Sequence, residues 1–219
     1  MQLNVRQLGG AAALFEALAY IAGFVFMFTV LQPALAGAAT PAHKLAAILA
    51  VVEWYKAWNI IIYVLFGAVL VLLVVALHER LAPAAPALTK AASAFGLIWA
   101  GLVIATGMIA NVALSVVGDL HGVNPAGATL AWQTLNVVQE GLGGGVELVG
   151  GCWVLLVSVA ALRTGALPAW LNDLGSAIGV AGILTVIPPL GELGAVFGLG
   201  QIVWFTWLGI VMLRPGPAG

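Results

Sequence analysis

The chain has 219 residues, 63% of them apolar and only 7% charged, too little charge to coat a water-soluble globule, in which about a quarter of residues are charged. Its length is consumed by apolar runs of the size a bilayer demands, about 20 residues each, so residues 1–219 read as a single transmembrane domain. A formal charge of -1 with no Lys/Arg run offers no surface to nucleic acid and no polybasic clamp to a lipid headgroup. The single cysteine, Cys152, excludes an internal disulfide and every paired-cysteine spacing for zinc, iron-sulfur clusters or c-type haem, so no cofactor is expected.

Backbone groups in lipid must pair internally, and the fold class is therefore an all-α polytopic bundle. Hydropathy predicts six spans, at 8–32, 45–77, 91–117, 130–162, 171–188 and 193–213. Breakers separate them: Pro33 and Pro41, Pro83 and Pro86, Gly122 with Asn124-Pro125, Gly165 and Pro168, and Pro188-Pro189. The first span ends near Ala34-Leu35-Ala36, which imitates a signal cleavage site, but Leu8 to Leu31 is long enough to span and stay. Within it, Glu16 shares a face with Tyr20 and Gly23, and Gln201 is its partner if spans one and six touch.

Span two presents Glu53, Lys56, Asn59 or Ile60, Tyr63 and Gly67 at helical spacing. Span three adds Asn111 beside Gly107 and Ser115. In span four Asn136, Glu140, Gly143 or Gly144, Glu147 and Gly151 recur at steps of three and four, and on a continuous helix they share one face. Lipid penalises a central charge by roughly 2.5 to 3.5 kcal/mol, so this face turns to other helices. Lys56 is the counter-charge available to Glu140 or Glu147, unless it merely pairs with Glu53 three residues away. Span six contributes Glu192 at its start and Gln201 further in. The expectation is an acidic pocket opening outward and lined by spans two, three, four and six.

Spans two and four are longer than the hydrocarbon layer, and their polar outer ends, 45–58 and 130–140, are expected to project beyond it or lie along its surface. Val71-Leu72-Leu73-Val74 and Ser93-Ala94-Phe95-Gly96 recur as Val154-Leu155-Leu156-Val157 and Ser176-Ala177-Ile178-Gly179, which suggests a duplicated hairpin. Small residues at Gly141/Gly145, Gly175/Gly179 and Gly194/Gly198 suit close helix contact, within the bundle or with a membrane protein partner.

Arg6, Arg80, Lys90, Arg163 and Arg214 fall on one side of the six-span plan and Lys44 alone on the other, which places both termini in the cytoplasm. Trp54, Tyr55, Trp58 and Trp132 fall at the outer boundary and Trp170 at the inner one, as an aromatic belt requires. His43, His78 and His121 belong to loops, so none reaches membrane depth to ligate haem. Asp119 and His121 with Glu192 or Glu53 are too scattered to read as a metal site.

Leu167-Pro168-Ala169-Trp170-Leu171, Leu174-Gly175, and Trp204-Phe205-Thr206-Trp207-Leu208-Gly209-Ile210 with Leu213-Arg214 resemble the C-terminal pattern of a bacterial six-span family catalogued as domain of unknown function 4386. The resemblance implies a multi-pass protein of the bacterial inner membrane and supplies no catalytic residue. The acidic pocket suggests a carrier or binder of a small cationic or polar solute, coupled to protons if Glu147 or Glu16 exchanges them. The alternative is a non-catalytic subunit or scaffold of a membrane complex. A membrane-embedded enzyme on lipid or quinone comes last, because no nucleophile with its base is present.

Overall fold

In the computed structural model, residues 4–144 and 147–214 are described, and all their regular structure is helical. Helix α1 is Val5–Leu35, started by a reciprocal cap in which Asn4 Oδ1 accepts from Gln7 N at 2.8 Å while Gln7 Oε1 accepts from Asn4 N at 3.3 Å. A short α2, Pro41–Ala50, precedes α3, Val52–Leu81, from which Val51 separates it at φ -119°, ψ 21°. Then follow α4, Pro86–His121, and α5, Pro125–Gln139, with a π-turn over Glu140–Gly144. The remaining helices are α6, Leu148–Thr164; α7, Ala169–Leu184; and α8, Leu193–Leu213. Prolines open α2, α4 and α5, where the missing N–H costs nothing, and Gly165 at φ +64° closes α6.

Five helices are long and apolar enough to cross a membrane by length and composition, counting α5 and α6 together, and α7 is a shorter apolar helix of 16 residues. At 1.5 Å per residue α7 extends about 24 Å, short of a hydrocarbon layer of about 30 Å, so the fifth expected span is the weakest of the six. The long rods form a closed ring in the order α1, α3, α4, α6, α7, α8 and back to α1. Neighbours run antiparallel: Gly10 abuts Gly209 and Leu213, Gly96 abuts Val74 and Trp153, and Gly151 abuts Gly179 and Gly182. The start of α1 and the end of α8 thus share one end of the bundle, called here the terminal end.

At 36 residues α4 runs about 54 Å and overshoots the predicted span at both ends. Around its distal tip α2 and α5 make a separate cap, with Leu45, Val117 and Ala128 fully buried together. Of the two polar outer ends, 130–139 falls on α5 and 45–50 on α2, each set off by an interruption, whereas 52–58 is the opening of α3 and continuous with it. Both hairpins share one order of parts: a proline-led short helix, an interruption, a long helix and a return helix. The side chains of Thr40 and Asn124 cap the two short helices alike.

Toward the terminal end the ring is solid. Trp153, Trp204, Phe205 and Leu208 are sealed in its centre, with Trp153 and Trp204 meeting edge to face at 5.7 Å. The backbones of α6 and α7 approach so closely that a Cβ on Gly151 would stand 2.7 Å from the Gly179 carbonyl oxygen. Of the glycines predicted for contact, Gly175 faces Ser158 and Trp204 and Gly179 faces Gly151 in this solid part, while Gly198 faces Phe24 and Tyr20. Gly141 meets nothing, and Gly145 lies outside the described residues. Of the aromatics expected at the membrane boundaries, Trp54 and Trp170 are 73% and 78% exposed; Trp58 instead turns inward, and Tyr55 and Trp132 pack under the distal cap.

Candidate functional site

Three helices lose their regular hydrogen-bond ladder: α1 in a π-turn at Met27–Leu31, α3 in one at Ile60–Leu65, and α5 at Glu140–Gly144, where Gly143 takes φ +122°. That φ is open to glycine and strained for any residue with a Cβ. Such turns widen a helix locally and re-aim its side chains. Beside them lies a partly open cavity of about 300 Å³. Its walls are Tyr20, Gly23, Phe24 and Met27 from α1, Trp58, Ile62, Tyr63 and Phe66 from α3, Trp99 and Val103 from α4, Phe197 from α8, and Gly143 and Glu147 from the interruption.

The rings are fixed by one another. Phe66 meets Tyr20 and Trp99 edge to face, both at 5.5 Å, and Trp99 meets Phe197 at 6.1 Å. Trp58 stacks with Phe26 at 5.2 Å and Tyr55 at 5.4 Å, and its Nε1 donates to the Gly23 carbonyl at 3.3 Å. Offset and edge-to-face pairs of this kind are the favoured aromatic arrangements, so the walls are set before any ligand arrives. Phe66 and Trp99 close the cavity toward the terminal end, Trp99 leaning on the sealed Trp153 and Phe66 on the sealed Phe205.

Among the described residues, Glu147 is the one charged side chain lining this space. It caps α6 at φ -86°, ψ 10°, and its carbonyl accepts from Gly151 N at 2.8 Å. Its carboxyl group lies against the first turn of α8, where a Cβ on Gly194 would stand 3.3 Å from both oxygens. The Thr185 hydroxyl lies beside it while donating to Gly182 O at 2.7 Å. Oε2 has no hydrogen-bond partner, and no Lys or Arg pairs with the group among the described residues. Glycine at 194 is what lets a carboxylate pack so close to a helix.

The other predicted site residues disperse. Because the backbone leaves helical φ/ψ at Gly143, Asn136, Glu140 and Glu147 do not share a continuous helical face. Glu140 is exposed at the start of the π-turn, and Asn136 stays on α5 away from the cavity. Lys56 is not the counter-charge of either glutamate: its Nζ sits 3.6 Å from Glu53 Oε1, on a pair whose acid is 82% exposed. Asn111 Nδ2 donates to Lys56 O at 3.2 Å and its Oδ1 accepts from Asn59 Nδ2 at 3.0 Å, an arrangement that braces α3 at the entry to its π-turn. Glu192 is exposed at the start of α8. Tyr63 lines the cavity as expected of the pocket, which spans two, three, four and six do border.

Glu16 and Gln201 are fully buried on helices that do touch, yet no hydrogen bond joins them, and the side-chain polar atoms of both lack partners. Glu16 lies one turn from Tyr20 toward the terminal end, on the same face of α1. No cluster of three or more His, Cys, Asp and Glu side chains occurs among the described residues, so Asp119 and His121 are not joined by Glu53 or Glu192.

Sequence reasoning overlooked α1 as a wall and the aromatic character of the lining. Tyr20, Gly23, Phe24 and Met27 do recur at steps of three and four, a stripe indistinguishable in sequence from an ordinary core face. No family model, characterised protein or solved structure was found to match the chain.

Proposed function

We propose that the chain is a six-span protein of a bacterial inner membrane, with cytoplasmic termini, that binds or carries a small cation in the Glu147 cavity. The observation that carries this reading is a carboxylate without counter-ion, facing a preformed space whose other walls are apolar or phenolic. An uncompensated charge away from bulk water is costly, and a cationic guest supplies the missing partner. Interrupted helices around a central site are also how secondary transporters expose polar backbone to a solute. Gly143, in the interruption, brings the carbonyl end of a half-helix to the same wall, and a helix C-terminus favours positive charge.

Orientation follows the Lys/Arg asymmetry, and the fifth span, added to the five long apolar helices to make six, is the short α7 together with residues 185–192. Membership of the uncharacterised six-span family rests on the C-terminal residues from Leu167 to Arg214. The exchange of protons belongs to the same reading, through Glu147 in the cavity and Glu16 one turn beyond Tyr20. The scaffold alternative gains little, since the Gly175/Gly179 and Gly194/Gly198 faces that would serve it are turned to this chain's own helices.

The test is charge movement in proteoliposomes on supported membranes, after jumps in sodium, potassium, ammonium or methylated ammonium. The wild-type protein is expected to respond to at least one of them, and Glu147→Gln to abolish that response. A silent wild type, or currents that Glu147→Gln leaves unchanged, would overturn the proposal.

A further inference from the structure

We infer that the ion taken by the Glu147 cavity is an alkylated ammonium, tertiary or quaternary, rather than a metal ion or a bare ammonium. This rests on the cation-binding reading above and narrows it. A hard metal cation needs six or more oxygen ligands, or a shell of retained waters. The cavity offers one carboxylate, the phenols of Tyr20 and Tyr63, and backbone at Gly143, while the indole nitrogen of Trp58 is already committed to Gly23. A primary ammonium carries three N–H donors that must all be satisfied, and it meets the same short inventory.

An alkylated ammonium inverts these demands. Its positive charge is spread over methyl or methylene groups that ask for no acceptor and gain from apolar contact. Aromatic rings lower its energy through their negative faces, and cages of several rings are how proteins recognise such ions. Here Tyr20, Trp58, Tyr63, Phe66 and Trp99 surround one void together with Glu147. A volume of about 300 Å³ lies at the lower end of ligand pockets, which suits a head group or a small free amine. A neutral apolar guest of the same shape would strand the carboxylate.

The deciding experiment is calorimetric titration of the purified full-length chain in detergent with tetramethylammonium and choline. Sodium, potassium and dimethylbutanol, the uncharged carbon isostere of choline, are titrated alongside. Expected are saturable binding of both methylated ions and none of the isostere. Affinity should fall about tenfold or more in Glu147→Gln and in Trp58→Leu, with a smaller loss in Trp58→Phe, which keeps a ring. The isostere comparison needs no variant, so a misfolded mutant does not leave the question open. Equal binding of dimethylbutanol, or loss in Trp58→Phe as large as in Trp58→Leu, overturns the cage. Binding of sodium or potassium that depends on Glu147 while methylated ions fail would refute the alkylammonium and leave the cation reading standing. Failure of every cation would end both.

Discussion

Toward the terminal end Trp153, Trp204 and Phe205 are at most 1% exposed and touch ring to ring, whereas toward the distal end Tyr20, Trp58 and Tyr63 surround a void. The two regions draw on the same residue types, aromatic and glycine above all. They differ in the backbone. The lower helices keep regular ladders and bring glycine against glycine, so their side chains interdigitate without gaps. The upper part carries π-turns in α1 and α3 and the interruption at Gly143 before α6, and rings held on widened helices cannot close on one another. A rigid base under a preformed cavity is a division of labour suited to binding, since the walls need not be ordered by the ligand.

The sharpest way to break this contrast is to force apart the tight region. In Gly151→Leu the new side chain meets the α7 backbone at Gly179 and Gly182, and such overpacking costs about 3 kcal/mol. The unfolding midpoint in detergent should drop steeply. Gly141→Leu, entering open space, should move it little, because surface substitutions away from special features stay within about 0.5 kcal/mol. Similar losses at both sites would mean that the glycine-packed base is no stiffer than the interrupted half.

A middle-sized effect is expected where the interrupted region is braced. Asn111→Leu removes the partner of Asn59 and of the Lys56 carbonyl at once, and unsatisfied buried polar groups cost about 1–3 kcal/mol each. The π-turn of α3 should loosen, read as faster hydrogen exchange over 56–65 with little change in α6 or α7. Unchanged exchange there would show that the turn holds itself.

These residues also show how far the sequence could be read. Prolines and glycines marked the loops between the predicted spans near their observed positions, because a missing N–H and a permissive φ are local properties, but nothing marked the boundary of α2 and α3 at Val51. The break in α5–α6 escaped notice for a related reason: a glycine run has no side chains to contradict a continuous helical face, and only Gly143 at φ +122° ends it. The π-turn of α3 falls in Ile60-Ile61-Ile62, where hydropathy carries no trace of a changed ladder. Glu147 was found because a charge among apolar residues is conspicuous. The aromatic walls were not, since a ring facing a void and a ring facing a core look alike until the backbone is placed. Pairing was the least legible feature, as Lys56 had Glu53 three residues away and Glu140 or Glu147 on another span to choose from, and only geometry chose Glu53.

That choice supplies the smallest and most discriminating prediction. If the distal cavity owes its charge to Glu147 alone, the Lys56–Glu53 pair is an exposed helix pair three residues apart, worth about 0.3–0.5 kcal/mol. Glu53→Gln should then leave the unfolding midpoint within about a degree or two and tetramethylammonium affinity unchanged, with any slight stability loss vanishing at high salt. A marked change in affinity would mean that the freed Lys56 swings toward the cavity and competes with the guest for Glu147. The void would then be gated by the side chain of α3 rather than standing open between fixed rings, and the line between a rigid base and a preformed cavity would have to be redrawn above Trp58.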